Sequence, residues 1–153
     1  MHEVNIPAHE LLPHRLGMLL LDRAIAIGDD GVKATAIIKK NNLFVSQGQM
    51  GAWVLIEYMA QAMAMWVSWN AIKQGKEPPI GFLLGTRKLS LLTDFVSVGK
   101  KLTCCAQPLY VNPEDNLAQF NCQVFLDDQC IAQAKLNAYE PNDLSNFSME
   151  TLS

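Results

Sequence analysis

The longest stretch of apolar patterning runs from Gly51 to Lys73, GAWVLIEYMAQAMAMWVSWNAIK, and apolar residues occupy nearly every turn of it. Ala, Leu, Met, Gln and Glu favour helix, and no Gly or Pro interrupts the run. A helix that is apolar on almost all faces is enclosed by the rest of a protein rather than laid on its surface. The pattern therefore predicts a buried central helix. Its uncharged part, Tyr58 to Ile72, is fifteen residues long and carries Gln61, Ser68 and Asn70. A membrane span needs roughly twenty predominantly apolar residues, so none is expected.

On both sides of this run the pattern changes to short β-type segments. Met18–Ile27 and Val32–Lys40 read as two strands joined by the turn signal Gly28-Asp29-Asp30-Gly31. Asn41-Asn42 breaks the second strand, and Leu43–Met50 reads as a loop leading to the helix. Beyond the helix, the polar connection from Gln74 to Pro79 precedes strands at Gly81–Leu92, Lys101–Val111, Ala118–Leu126 and Cys130–Ala138. Residues 1–16 are rich in Pro and His, with a helical turn around His9–Leu12, and the polar tail from Glu140 is expected to fray. A hairpin, one long helix and an antiparallel run of strands exclude a doubly wound parallel sheet and give an α+β roll. One domain is expected over residues 1–140, followed by a tail at 141–153. A single sheet curled around one helix leaves an edge to cover, and pairing of two copies is the natural remedy.

Composition narrows the function classes. The formal net charge of −3 disfavours a nucleic-acid binder, and the start MHEVNIPAHELLPH lacks the basic and apolar regions of a secretory signal, so a cytoplasmic protein is expected. Cys104, Cys105, Cys122 and Cys130 have no CxxC spacing and no downstream His, which predicts free thiols and no metal site. Cys104 and Cys105, adjacent on a strand, should point to opposite faces.

One charge interrupts the apolar helix near its start, Glu57. Gln61 lies one turn on and Ser68 about three turns on, so the three define a polar line expected to face a cleft. Burial raises a carboxylate pKa while the N–H groups and dipole of a helix N-terminus oppose the rise, which makes Glu57 a candidate general acid or base. The bland alternative is a structural glutamate that satisfies first-turn N–H groups or pairs with an arginine. Gln61 is the accompanying candidate for substrate contact.

Three segments, LPHRLGMLLLDR (Leu12–Arg23), VLIEYMAQAMA (Val54–Ala64) and GFLLGTRKL (Gly81–Leu89), resemble in order and spacing the hot-dog fold family of 3-hydroxyacyl-(acyl carrier protein) dehydratases, and most of all the aryl-polyene branch. The resemblance implies a long central helix wrapped by a curved antiparallel sheet. It also implies loss of water from a 3-hydroxyacyl thioester on acyl carrier protein, giving a trans-2-enoyl product with no metal or redox cofactor. In that family a loop histidine takes the α-proton, a helix carboxylate of the partner subunit handles the hydroxyl, and a helix-start N–H polarises the thioester carbonyl. Glu57 matches the carboxylate. Gly51 sits one place before the family's helix-start glycine and Ala52 occupies its position, so these two are the candidate carbonyl donors.

The family's loop histidine is missing. LFVSQGQMGAW is shorter than the family's loop and holds no His, and His2, His9 and His14 all precede residue 15. Three readings stand. His14 replaces the base, although Pro-His-Arg belongs to the family's general N-terminal motif and reads first as structural. Alternatively the chain is half of a heterodimer whose histidine comes from a related subunit, or it is a hot-dog acyl-thioesterase. Docking of an acidic carrier protein would need a basic patch, for which Arg87, Lys88, Lys100 and Lys101 are candidates, with Lys39 and Lys40 as a second group. Trp53, Trp66, Trp69, Met59, Met63 and Met65 read as core, or as the wall of an acyl tunnel.

Overall fold

A computed structural model gives the fold for residues 1–13, 16–78, 83–112, 114 and 117–139. Seven antiparallel strands form the main sheet in the order β1-β2-β3-β8-β9-β10-β6. They are β1 (His2–Pro7), β2 (Arg23–Gly28), β3 (Gly31–Ile37), β6 (Leu83–Leu91), β8 (Lys101–Asn112), β9 (Leu117–Leu126) and β10 (Gln129–Tyr139). A small second sheet joins β4 (Val45–Ser46), β5 (Gln49–Gly51) and β7 (Phe95–Ser97). The helix α1 (Leu55–Lys73) packs against β3, β8, β9 and β10.

Alternation along the strands explains this packing. Ala34 and Ala36 on β3, Cys104 and Ala106 on β8, Cys122 on β9 and Ala132, Ala134 and Ala138 on β10 are all buried. These small side chains leave room for bulky ones from the helix, where Tyr58, Met59, Met63 and Met65 are at most 1% exposed. The C-terminal half of the helix is tied to the β2–β3 turn. Trp66 donates its indole N–H to the Gly28 carbonyl at 2.8 Å and packs edge-on against Phe120, and Lys73 pairs with Asp29. Gly28 faces Gly31 across the expected two-residue turn. Gly31 has φ +142°, and a Cβ there would lie 2.4 Å from the Ala106 carbonyl oxygen, so close approach of β8 requires glycine.

The sequence-based elements hold with several changes, among them the unexpected strand β7 and an end of β3 at Ile37 instead of Lys40. The first strand was expected from Met18 but starts at Arg23, because residues 16–18 form a 3₁₀ turn and the Leu20 and Leu21 N–H groups bond to a helix side chain instead of a neighbouring strand. The expected loop Leu43–Met50 contains the β4–β5 hairpin, with Gln47 (φ 55°) and Gly48 (φ 77°) as its two turn residues. Both have positive φ, as a type I′ turn requires. The helix is preceded by a 3₁₀ turn at Ala52–Val54, and the N-terminal stretch forms the edge strand β1, which its mixed polarity had concealed. Residues 81, 82 and the tail from residue 140 lie outside the described residues. No helix among the described residues is long and apolar enough to cross a membrane.

Candidate active site

The helix start is fixed from the strand side. Asn42, where β3 has ended, accepts from the Phe44 N–H at 2.8 Å and donates its amide to the Tyr58 hydroxyl at 3.1 Å. Tyr58 in turn donates to the Met50 sulfur at 3.7 Å. Burial pushes the Tyr58 phenol up to about 12, an effect that the bond from Asn42 partly offsets. Asn42, Met50 and Tyr58 thus join the end of β3, the small sheet and the first turn of α1. Sequence reasoning saw Asn42 only as a strand breaker.

Glu57 lies half-buried in that first turn, and Gln61 donates to its Oε1 at 3.2 Å. Gln61 is 1% exposed and uses all of its hydrogen-bonding capacity. Its second amide hydrogen goes to the Met18 carbonyl at 2.7 Å, and its Oε1 accepts from the Leu20 and Leu21 N–H groups at 3.0 and 3.4 Å. No donor or acceptor is left for a ligand. The polar line expected to face a cleft is therefore enclosed. Gln61 braces Glu57 against residues 18–21, and Ser68 is 4% exposed with a hydroxyl that has no partner among the described residues.

The expected carbonyl donors are also committed in part. Gly51 pairs with Phe95 on β7, and the Ala52 N–H donates to the Asp94 carbonyl at 2.9 Å. Trp53 and Val54 follow in a 3₁₀ turn, in which the Val54 N–H bonds back toward the Gly51 carbonyl. Trp53 is 66% exposed and meets Phe44 edge-on at 6.1 Å, whereas Trp66, Met59, Met63 and Met65 are core. Trp69 lies beneath the Lys73 ammonium.

A cleft of about 220 Å³ opens beside the brace, lined by Gly17, Leu19, Leu20, Ile37, Lys39, Asn41 and Asn42. A larger depression of about 580 Å³ lies on the outer sheet face around Lys33, Cys105, Gln107 and Gln123, with no helix residue in its wall. Of the histidines, His2 is on β1 and His9 is in the 3₁₀ turn Ala8–Glu10, while His14 and Arg15 lie outside the described residues.

The four cations expected to form one patch are separated. Arg87 pairs across the sheet through Lys135 and Asn121 to Gln107, far along β8 from Lys101. Three strand spacings and six residues of strand put the two on the order of 20 Å apart. Lys101 and Lys100 instead neighbour Ile37 and Ile38, next to Lys39 and Lys40.

The cysteines are free. Cys104 and Cys122 face the core and Cys105 and Cys130 are half-buried. Burial pushes the Cys104 thiol well up and the Cys122 thiol up to about 12, which makes both poor nucleophiles. No group of three or more His, Cys, Asp or Glu side chains suited to a metal occurs among the described residues.

The fold is similar to that of the dehydratase heterocomplex ApeI:P from Xenorhabdus doucetiae, with TM-score 0.83 and 24% identity over 90% of this chain and 93% of that one. An uncharacterised protein of Pyrococcus horikoshii matches at TM-score 0.62 and 16% identity, covering 94% of this chain and 97% of its own. A hypothetical thioesterase from Streptococcus pneumoniae, solved with coenzyme A, matches at TM-score 0.54 and 12% identity over 77% and 84% of the two chains. These likenesses establish the hot-dog fold. The family model described as ApeP dehydratase, ApeP-like, matches residues 6–149, and the chain belongs to the ApeP-like dehydratase family.

Proposed function

We propose that the chain removes water from a 3-hydroxyacyl thioester carried on acyl carrier protein during aryl polyene biosynthesis, in the cytoplasm, as one subunit of a dimer with a related, histidine-bearing dehydratase subunit. The observation that carries this reading is a half-buried carboxylate at the start of the central helix, held by a fully bonded glutamine, in a chain of dehydratase family. A base takes the proton from C2, and its electron pair forms the C2–C3 double bond. The C3–O bond breaks, and Glu57 in its acid form protonates the departing hydroxyl, which leaves as water. The Trp53 N–H is the donor at the helix start proposed for the thioester carbonyl, since that of Ala52 is occupied and the 3₁₀ turn engages that of Val54 with the Gly51 carbonyl.

The partner requirement follows from the missing histidine. Residues 43–50 hold none and are tied into a tight hairpin, and the similar structure from Xenorhabdus doucetiae is named as a heterocomplex. The edge strand β6, with Leu89 and Leu91 exposed, is the surface to pair. A second reading keeps the reaction within a homodimer and uses His14 as base. Its support is that His14 lies four residues before Met18, where the segment that Gln61 ties to Glu57 begins.

Mass spectrometry of a 3-hydroxyacyl carrier protein incubated with the chain tests both readings, with Glu57→Gln as the control. Loss of water only when the related subunit is added, and not with Glu57→Gln, is the expected result. Loss of water with the chain alone that depends on His14 would favour the second reading. Release of free acid and carrier thiol would make the chain a thioesterase and overturn both.

A further inference from the structure

We infer that the corner formed by Lys39, Lys40, Lys100 and Lys101 is the docking surface for the acidic carrier protein that brings the thioester, an inference that rests on the function proposed above. Sheet register assembles this corner from two segments sixty residues apart in the chain. Lys101 faces Ile37, the Ile38 N–H bonds to the Lys100 carbonyl at 3.0 Å, and the Gly99 N–H returns to the Ile38 carbonyl at 2.8 Å. Lys39 and Lys40 follow directly, and all four side chains are exposed.

The charge of the corner opposes that of the chain. The whole sequence carries −3, whereas here four cations meet Asp22, which accepts from Lys39 at 3.1 Å and from the Ile37 N–H at 2.9 Å, and Asp127, which follows the Leu126 that pairs with Leu102. Asp127 and Asp128 lie at the same end of the sheet, but no ion pair joins them to Lys100 or Lys101 among the described residues. Like charges so placed repel one another in the free protein, and carboxylates of a partner relieve that repulsion. Beside Lys40 lies a notch of about 310 Å³ lined by Val45, Gln47, Gly48 and Val98, which can take an apolar side chain from the partner's surface.

Position distinguishes this corner from Arg87 and Lys88. Lys39 stands on the rim of the 220 Å³ cleft, and Leu20 in the wall of that cleft gives its N–H to Gln61, which holds Glu57. A carrier seated on the lysines would sit beside this cleft, whose wall residue Leu20 bonds to the glutamine that holds Glu57. Arg87 and Lys88 lie on the far edge strand β6, on the order of 20 Å from Lys101.

The test is calorimetric binding of the carrier protein to the chain assembled with its related subunit, repeated at several salt concentrations. Lys40→Glu/Lys100→Glu/Lys101→Glu should weaken binding by about tenfold or more and flatten its salt dependence. The KM for carrier-bound substrate should rise relative to that for the same acyl group on pantetheine. Lys33→Glu/Lys76→Glu/Lys135→Glu, with Lys33 and Lys76 exposed and Lys135 half-buried, is the charge-matched control, and thermal melts exclude unfolding of either variant. Binding of the corner variant within twofold of the parent, or loss of binding instead through Arg87→Glu/Lys88→Glu in an assembly that sedimentation shows to be intact, overturns the inference. Carrier that binds at the corner yet loses no water would leave the docking surface standing and defeat the proposed reaction.

Discussion

Replacing Gln61 with leucine removes the brace between the helix and residues 18–21 while keeping an apolar side chain of similar size. Three neutral backbone groups then lose their partners, the Met18 carbonyl and the Leu20 and Leu21 N–H groups. At about 1 kcal/mol for each lost bond, the cost is about 3 kcal/mol, and incomplete relaxation around Gln61 pushes it upward. For a chain of this length that corresponds to a fall in Tm of roughly 10 °C. Urea denaturation measures the free energy, and turnover of the assembled enzyme measures the effect on Glu57, which loses its orienting donor. Gln61→Glu separates the two parts. It retains the acceptors for Leu20 and Leu21 but places a second carboxylate where a donor met Glu57 at 3.2 Å. Like charges at that range raise the folded-state pKa of the pair. A raised folded pKa favours folding at low pH, so this variant should approach wild-type stability below about pH 4 and lose stability as pH rises. If Gln61→Leu lay within about 0.5 kcal/mol of wild type, the brace would be refuted.

Other perturbations test separate parts of the structure. Gly31→Ala should cost about 3 kcal/mol in urea denaturation, since its φ is +142° and the new Cβ meets the Ala106 backbone oxygen. Gly51→Ala should cost about 1 kcal/mol or less, because the atom its Cβ meets is the end of the exposed Trp53 side chain, which can move. With a thiol reagent on the native protein, Cys105 and Cys130 should react, while Cys104 and Cys122 react only after unfolding; fast native labelling of Cys122 would contradict its burial. Burial raises the folded-state pKa of Tyr58 and Cys122 to about 12 and that of Cys104 further, so what these groups contribute to stability is present below about pH 8 and is lost as pH rises from there to 12. Tyr58 alone accounts for about 3 kcal/mol of that fall. Melts across this range should show a shallower decline for Tyr58→Phe.

How much of this was legible depended on how local each determinant is. The helix is apolar all round and Gly28-Asp29-Asp30-Gly31 closes its hairpin within four residues, so both could be read directly. The β4–β5 turn uses Gln47, not a typical residue for positive φ, and stayed hidden. The start of β2 was misplaced by a long-range effect, because Gln61 captures N–H groups forty and forty-one residues away. Glu57 was visible as a lone charge in an apolar run. The role of Gln61 was not, since helical spacing gives the line on which it lies but not the loop that covers it. The lysines were regrouped by sheet register, which sequence distance does not show.

The segment between β3 and α1 holds no histidine and is bonded along nearly its whole length. Asn42 is bonded to Phe44 and Tyr58, Val45 pairs with Met50 and Ser46 with Gln49. The Gly48 carbonyl accepts from Val98, Met50 and Gly51 pair with Val96 and Phe95, and Ala52 bonds to Asp94. Nearly every residue from 42 to 52 is thus held by a neighbour, and the turn at Gln47 and Gly48 is the shortest that reverses a strand. Such a segment places the helix start accurately but has no slack to deliver a base to Glu57. The two bases weighed for the proposed reaction, His14 and a histidine of a related subunit, both lie outside this segment, and the mass-spectrometric comparison separates them.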